Sequence, residues 1–238
     1  MFLLYMKIGL LLECDPGTTL GGSCLRDVKN METHLINRCK FDKVYAFTTS
    51  GRYGSSADQF IDALKQTRIE VEDHPDALVV VLISGHGYTT CDTNGDETDG
   101  QDEMISIGSR SIIDDELYSV VSQYECNMVL LSDTCHSGTM FDLPYVSNDD
   151  GRTFTNKLHE QKTQLGKVVS LSACSDQQLS MCDIGDVAGF GGSLTVSVLE
   201  PDILELIVST DTASILKGYT LIKDRLLKLN QRCVLSTI

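Results

Sequence analysis

The chain has 238 residues and a formal net charge of −15 at pH 7. This acidity argues against a nucleic acid or an anionic membrane as the main partner and favours cationic substrates or bound metal ions. Hydrophobic residues make up 42 % of the chain and prolines number only four, so the composition predicts one large ordered domain rather than a disordered segment.

Apolar runs without polar alternation predict fully buried parallel strands, and the stretches between them predict helices. In chain order, strands or extended stretches are predicted over 3–13, 43–47, 77–83, 104–109, 127–131, 167–173 and 232–236, and helices over 24–38, 56–68 and 114–123, with two further helical stretches after 192. An acidic loop is expected over 90–103, a mobile surface loop over 147–166 and a glycine-rich turn over 189–192. The alternation predicts an α/β fold whose mostly parallel central sheet is flanked by helices.

The nine cysteines contain no CxxC pair, and their number is odd. A secreted disulfide framework is therefore unexpected, and we predict a protein of a reducing compartment, the cytoplasm. The apolar residues 1–12 are interrupted by Lys7 and are too few to span a bilayer, so we interpret them as the first buried strand and expect no membrane association.

Two short runs directly follow predicted buried strands and stand about fifty positions apart, the spacing of a caspase-type histidine and cysteine. Residues 83–87 read Ile-Ser-Gly-His-Gly, and residues 132–138 read Ser-Asp-Thr-Cys-His-Ser-Gly. Because the carboxyl ends of parallel strands meet at one edge of a sheet, His86 and Cys135 can meet in space. A thiol next to an imidazole is an activated nucleophile, so the two runs predict a cysteine protease.

Each residue also has a structural interpretation. A cysteine in an intracellular chain is most often a small buried hydrophobe, but Cys135 stands in a polar turn rather than in an apolar segment. We interpret His136 as structural, because its side chain points away from Cys135 if the chain is extended there. No asparagine or aspartate is evident as a third member, so the prediction is a Cys-His dyad.

On these residues the chain resembles the metacaspases, which are caspase-like proteases. Further segments resemble family motifs and occur in the family's order: 20–27, 92–103, 172–177, 191–195 and 231–237. The resemblance implies a single caspase-like catalytic domain over 1–238, a three-layer sandwich with a large-subunit-like part (1–146), the mobile loop (147–166) and a small-subunit-like part (167–238). Because the chain starts almost at the first strand and has no long insertion before 167, we expect a type I-like member without a prodomain. The resemblance further implies a monomer.

The resemblance implies that Cys135 is the nucleophile and His86 the general base. It also implies that the backbone N–H groups of Gly87 and Cys135 stabilise the oxyanion. Cys24 and Ser84 are implied to line the substrate pocket, with two carboxylates that select arginine or lysine at P1; these are Asp27 and Asp133.

Both carboxylates can be weighed from the residues alone. Asp27 could instead be a first-turn helix carboxylate, favoured there by the helix dipole. A purely structural role is harder to assign to Asp133, because a charge at the end of a buried strand needs a bonding partner or a functional role. A caspase that cleaves after aspartate would need arginines beside its catalytic residues, and neither run has one.

The acidic segment 92–103 has oxygen ligands at several EF-hand positions, but its glycine stands at position four instead of six, so we reject an EF-hand. The family resemblance implies Ca²⁺ as cofactor, bound by Asp102, Asp114, Asp115 and Asp142. Calcium would then order the Cys135 loop and activate the enzyme. Asp114 and Asp115 could instead cap the helix that follows.

Autoprocessing is a further hypothesis, because the polar loop offers basic residues as cleavage sites, namely Arg152, Lys157, Lys162 and Lys167. The resemblance also carries over a role in cell death or stress. Three alternatives remain. A legumain-like or bacterial caspase-like protease would have another P1 preference. A non-catalytic caspase-like scaffold would bind protein partners, although dead homologues usually lose one of the two catalytic residues. A calcium-binding structural protein would explain the acidic residues but not the two glycine-flanked runs.

Overall fold

The computed structural model describes residues 5–15, 19–49, 55–95, 97, 99–148, 153–156, 161–162, 167–182, 184–186 and 189–238. The helices are α1 (Ser23–Asn37), α2 (Ala57–Glu70), α3 (Asp114–Val121), α4 (Ser193–Val198), α5 (Ile203–Ile207) and α6 (Thr212–Leu227). The strands are β1 (Lys7–Cys14), β2 (Lys43–Phe47), β3 (Leu78–Gly85), β4 (Gly87–Cys91), β5 (Gln101–Ile107), β6 (Arg110–Ile113), β7 (Asn127–Thr134), β8 (Tyr145–Ser147), β9 (Phe154–Asn156), β10 (Gln161–Lys162), β11 (Val168–Ser172), β12 (Ile184–Asp186), β13 (Gly189–Gly191) and β14 (Val234–Thr237).

Nine strands form the main sheet, in the order β10-β9-β8-β14-β11-β7-β3-β1-β2. The sheet is parallel from β11 to β2, and β14, β8, β9 and β10 extend it with antiparallel pairs. Two small sheets, β4-β5-β6 and β12-β13, lie outside it. The predicted α/β class with a central sheet is confirmed.

Two apolar cores lie on opposite faces of the main sheet, because successive side chains of a strand point to opposite sides. Along β3, Val80 and Leu82 join the core that contains α1 and α4–α6, while Val79 and Val81 join the core that contains α2 and α3. All eight residues of β3 are buried, which explains its continuous apolar sequence. Helix, sheet and helix thus form three layers.

The predicted loop over 90–103 is partly wrong. Its last residues begin β5, which pairs antiparallel with both β4 and β6. The polar residues at the start of β5 concealed the strand in the sequence, yet Asp102 and Glu103 are buried in it. The predicted extended stretch 104–109 is the rest of this strand followed by a turn.

The predicted mobile loop over 147–166 is also partly wrong. Ser147 ends β8, and β9 and β10 continue the antiparallel side of the sheet. These strands are short and polar, with Phe154 buried as the apolar anchor, so they lack the sequence signature of a core strand. The other residues of this segment, 149–152, 157–160 and 163–166, lie outside the described part of the chain.

Smaller differences between prediction and structure concern the first strand and the segment from the glycine-rich turn onward. The first strand begins at Lys7, and residues 1–4 of its predicted extent lie outside the described ranges. The predicted glycine-rich turn is strand β13 followed by Gly192, and the two predicted helical stretches after it are three helices, α4 to α6.

None of the helices in the described ranges has the length and apolarity needed to cross a membrane.

Candidate active site

Three neighbouring parallel strands end at the same level. In the register of the sheet, Cys14 at the end of β1 pairs with Gly85 at the end of β3, and Gly85 pairs with Thr134 at the end of β7. The next residues along the chain are Asp15, His86 and Cys135. The sheet therefore brings the predicted histidine and cysteine to one edge, together with an aspartate that the sequence analysis did not single out.

His86 and Cys135 line one small pocket of about 40 Å³. All four residues predicted to bind substrate line the same pocket, namely Cys24, Asp27, Ser84 and Asp133. The other lining residues are Leu20, Ser23, Gly85, Ser180, Met181, Cys182 and Gly192. The structure thus assembles the predicted catalytic and pocket residues from segments more than a hundred positions apart.

Close backbone contacts explain the glycines beside His86. A Cβ atom at Gly87 would lie 2.0 Å from the carbonyl oxygen of Cys135, and one at Gly85 would lie 2.3 Å from the carbonyl oxygen of Cys14. Only glycine permits such approach. The backbone of Gly87, a predicted oxyanion donor, is consequently held against the backbone of Cys135.

The two pocket carboxylates are buried and well supplied with hydrogen-bond donors. Asp27 accepts from the Ser84 hydroxyl at 2.7 Å and from the backbone N–H of Gly192 at 3.0 and 3.1 Å. Asp133 accepts from the Ser180 hydroxyl at 2.9 Å and from the backbone N–H of Thr195 at 2.7 Å. The alternative interpretation of Asp27 as a helix first-turn carboxylate is wrong, because its partners lie outside α1.

Burial raises the pKa of Asp27 well above its usual range, and the nearby charge of Asp133 raises it further. Burial likewise raises the pKa of Asp133, despite its hydrogen bonds. Two buried carboxyl groups in one pocket disfavour joint ionisation, and a cation beside them would relieve this cost.

The sequence motif at 191–195 is explained by these carboxylates. A Cβ at Gly191 would lie 2.2 Å from Asp27 Oδ1, and one at Gly192 would lie 2.4 Å from Asp133 Oδ2. Roles for Ser180, Gly192 and Thr195 were not predicted from the sequence. Little in the sequence could indicate these roles, because the contact between Gly192 and Asp27 joins residues that are 165 positions apart.

The thiol of Cys135 is partly buried, and its Sγ lies 3.9 Å from the carbonyl oxygen of Ser180. Burial raises its pKa. Reactive cysteines more often have a lowered pKa. Because the pKa of Cys135 is raised instead, its thiol carries its proton at neutral pH and needs a base at the moment of attack. All nine cysteines are free thiols.

His86 has two polar neighbours at its Nε2 atom. The Thr19 hydroxyl lies 2.6 Å away, and Asp15 Oδ1 lies 3.6 Å away. The Thr19 hydroxyl in turn donates to Asp15 Oδ1 at 2.7 Å. No acidic neighbour of His86 was predicted from the sequence, whereas the structure places Asp15 there; the Cys-His dyad itself stays a prediction.

His136 has a structural role, as predicted, although for another reason. Its backbone is left-handed, with φ of 51°, rather than extended. Its Nδ1 lies 2.5 Å from the carbonyl oxygen of Asp176, and its backbone N–H donates to the carbonyl of Gln178. These bonds fix the turn that carries Cys135.

A second cluster of carboxylates lies near the β4-β5-β6 sheet. Ligand atoms of Glu97, Glu103 and Asp114 lie within 4.8 Å of one another. Burial raises the pKa of Glu103 to about 9, with help from the charge of Asp176, and raises that of Asp114 to about 7. The chemistry of this donor set suits a hard divalent cation such as Ca²⁺, which prefers carboxylate oxygens.

The four predicted calcium ligands only partly coincide with this cluster. Asp114 belongs to it, and the charges of Asp142 and Asp102 help to raise the Asp114 pKa, so both are close. Asp115 instead accepts a hydrogen bond from the Asn94 side chain at 2.8 Å. Ile113 is the N-cap of α3, while Asp114 accepts from two backbone N–H groups, those of Glu103 and Asp115.

Comparison with known proteins decides the family. The family model described as metacaspase, peptidase C14 domain, matches residues 8–144. The chain belongs to the metacaspase family. Metacaspase-1 of Scheffersomyces stipitis is 32 % identical over 138 residues, covering 54 % of this chain and 34 % of that protein. Metacaspase-1 of Ajellomyces capsulatus is 32 % identical over 173 residues, covering 68 % of this chain and 49 % of that protein.

This metacaspase chain therefore spans about a third to a half of the length of these two relatives. A crystal structure of a protein from Geobacter sulfurreducens matches it with a TM-score of 0.58 and 22 % identity, over 98 % of this chain and 94 % of that one. That likeness supports the fold. The family and the three-layer architecture together confirm the predicted caspase-like fold class.

Most of the predicted autocleavage positions lie in parts of the chain that the structure does not describe in full. Arg152 and Lys157 lie outside the described residues, and of Lys162 only the backbone, in β10, is described. Lys167 is exposed just before β11, and its Nζ donates to the carbonyl of Glu125 at 3.0 Å.

Proposed function

We propose that this metacaspase is a cysteine endopeptidase that uses Cys135 as nucleophile and His86 as general base. The observation that carries the proposal is the common pocket. The ends of β3 and β7 bring both groups to one cavity that also contains two buried carboxylates. A pocket with a nucleophile, a base and a charged recognition group has what peptide cleavage requires.

In the proposed reaction, the thiol proton of Cys135 passes to His86 as Sγ attacks the scissile carbonyl. The imidazolium then protonates the leaving amine, and an acyl-enzyme remains on Sγ. Water, activated by the same imidazole, hydrolyses it. Backbone N–H groups of Gly87 and Cys135 are the proposed oxyanion donors, and such a donor contributes about 3 kcal/mol to transition-state stabilisation.

We propose arginine or lysine as the P1 residue of the protein or peptide substrate. Asp27 and Asp133 are both buried in the pocket, and its lining contains no lysine or arginine among the described residues. A cationic side chain would pair with them and favour their ionised forms. At about 40 Å³ the cavity holds roughly one water, so it has to widen to admit a P1 side chain.

We propose that Ca²⁺ activates the enzyme by binding at Glu97, Glu103 and Asp114, with Asp102 and Asp142 close by. A hydrogen-bonded path leads from this cluster to the catalytic turn. Glu103 accepts from the Thr139 hydroxyl, and the Thr139 backbone N–H donates to the Asp176 carboxylate at 2.8 Å. Since the Asp176 carbonyl meets His136, the residue after Cys135, ordering the cluster would order the nucleophile.

The remaining expectations are also proposals. The enzyme would act in the cytoplasm as a monomer, without nucleic acid or membrane partners, and contribute to cell death or stress responses. Autoprocessing would occur in the segment before β11, and intact mass after activation would reveal it.

Cleavage of fluorogenic peptides with Arg, Lys or Asp at P1, in calcium and in chelator, tests the proposed function. We expect calcium-dependent cleavage after Arg and Lys that Cys135→Ala abolishes. Cys91→Ala is the matched control, since Cys91 is exposed and outside the pocket. A folded, calcium-loaded protein that cleaves none of the peptides would contradict the enzyme and favour a non-catalytic scaffold.

A further inference from the structure

We propose that Asp15 and Thr19 are positioning residues that hold His86 in the tautomer with the proton on Nε2. This inference rests on the proposed cysteine peptidase function. It assigns a role to the segment after β1, which the sequence analysis left without one. The inference rests on three elements of geometry: the register of β1 and β3, the burial of Asp15, and the hydroxyl that lies between Asp15 and His86.

The register fixes the distance between Asp15 and His86. Cys14 and Gly85 are partners at the ends of β1 and β3, and the backbone N–H of His86 donates to the carbonyl of Cys14 at 3.0 Å. Asp15 is therefore held beside the catalytic histidine by the sheet itself. Its side chain is only 1 % exposed, whereas that of His86 is 29 % exposed.

The direction of each hydrogen bond follows from the donors available. An ionised carboxylate can only accept hydrogen bonds, so the Thr19 hydroxyl donates its single proton to Asp15 Oδ1, 2.7 Å away. Toward His86 the same hydroxyl can then only accept, through a lone pair. Since Nε2 of His86 lies 2.6 Å from this oxygen, Nε2 carries the proton and Nδ1 keeps its lone pair.

This tautomer suits the proposed reaction. The proton of the Cys135 thiol moves to Nδ1 of His86 and later leaves with the amine, while the proton on Nε2 stays in place throughout. When His86 is positively charged, Asp15 Oδ1, 3.6 Å from Nε2, stabilises the charge. The pair therefore orients the base and supports the charge that develops on it, as an aspartate does in a serine-protease triad.

Asp15 also has a purely structural task, because it accepts the backbone N–H groups of Thr19 and Leu20 at 2.9 and 3.0 Å. These two bonds do not involve the Thr19 hydroxyl. Replacing Thr19 by valine removes the hydroxyl and leaves both backbone bonds in place. Thr19→Val thus separates the positioning role from the structural one, even if Asp15→Asn fails to fold.

The tautomer is measured directly by ¹⁵N NMR of histidine-labelled Cys135→Ala protein, with a His86→Asn sample to assign the signal. We expect the Nε2–H form in the Cys135→Ala protein and a mixture of tautomers after Thr19→Val. An Nδ1–H form, or a tautomer that Thr19→Val leaves unchanged, would overturn the proposal. This readout does not require peptide cleavage, so the proposed function can fail while the inference stands.

Kinetics supply the second arm. We expect Thr19→Val to lower kcat on the order of tenfold with little change in KM, and Asp15→Asn to lower it about 100-fold, the low end of what a positioned base contributes. Thr19→Ser should restore most of the rate. Thr220→Val is the control, since this exposed hydroxyl donates to the Leu216 carbonyl of its own helix, away from the pocket. Equal rates for Thr19→Val and the control would contradict the positioning role.

Discussion

Two groups of largely buried carboxylates in this metacaspase differ in their environments. The pocket pair, Asp27 and Asp133, is surrounded by donors, with four different residues donating to its oxygens. The cluster of Glu97, Glu103 and Asp114 also accepts hydrogen bonds, from the Thr139 hydroxyl and two backbone N–H groups, but the charges of Asp176, Asp102 and Asp142 act on it as well. Hydrogen-bond donors from four residues thus support negative charge on the pocket pair, although burial still raises both of its pKa values, whereas the acidic cluster favours bound protons or a cation.

The largest expected effect comes from removing charge in the pocket. Asp133→Asn keeps the size of the side chain but removes its charge, and we expect kcat/KM for an Arg substrate to fall on the order of 100-fold, since a hydrogen bond to a charged group contributes about 1.5–3 kcal/mol. Asp202→Asn, at the exposed start of α5, is the matched control. Unchanged Arg cleavage by Asp133→Asn would remove the basis for basic P1 specificity.

Gly192, which lines the pocket, allows a test of how closely the backbone packs against Asp133. Gly192 has an ordinary φ of −72°, so alanine there costs no backbone strain, but its Cβ would lie 2.4 Å from Asp133. We expect Gly192→Ala to lower the free energy of unfolding by about 1–3 kcal/mol, a typical cost of overpacking. Gly108→Ala is the comparison, because it has open space but a φ of +67°. Urea unfolding of both variants measures the difference, and equal stability of Gly192→Ala and the parent would contradict the contact.

The acidic cluster predicts a pH dependence of stability. The pKa of Glu103 is raised to about 9, far above its value in the unfolded chain, so the folded protein binds an extra proton between these values. Stability from this group is present below the unfolded pKa and is lost as pH rises through about 9. In chelator, we therefore expect the free energy of unfolding to decline from about pH 4.3 towards pH 9, and less steeply in calcium.

Glu103→Gln should flatten this decline in chelator and also weaken calcium binding in titration calorimetry. Asp115→Asn is the matched control, because Asp115 lies outside the cluster and bonds Asn94. Similar slopes for Glu103→Gln and the parent would show that Glu103 is not the titrating group. A loss of calcium binding in Asp115→Asn as large as in Glu103→Gln would restore the ligand set predicted from the sequence.

The sequence was informative where short-range patterns carry the structure. His86 and Cys135 directly follow apolar runs, so their meeting at one sheet edge could be predicted from the strands alone. Asp15 was missed because its proximity to His86 depends on the β1–β3 register and on a hydroxyl four residues further on. Glu103 was missed because an acidic run usually indicates an exposed loop, and only the pairing of β5 with β4 and β6 buries it.

The long-range contacts of the pocket were equally hidden. The donors to Asp27 and Asp133 come from β3, from the segment around Ser180 and from the start of α4, and no local signal links these segments. The family motif at 191–195 could be recognised but not explained. In the structure its glycines are the residues that let the backbone touch both carboxylates.

The most direct test is covalent labelling with two peptidyl acyloxymethyl ketones that differ only in Arg or Asp at P1, followed by peptide mapping of the calcium-loaded protein. We expect the Arg reagent to modify Cys135 alone among the nine thiols, and the Asp reagent to leave it unmodified. Labelling of Cys135 by the Asp reagent in preference to the Arg reagent would contradict the assignment of Asp27 and Asp133. Labelling of another cysteine, with Cys135 unreacted, would contradict the proposed nucleophile.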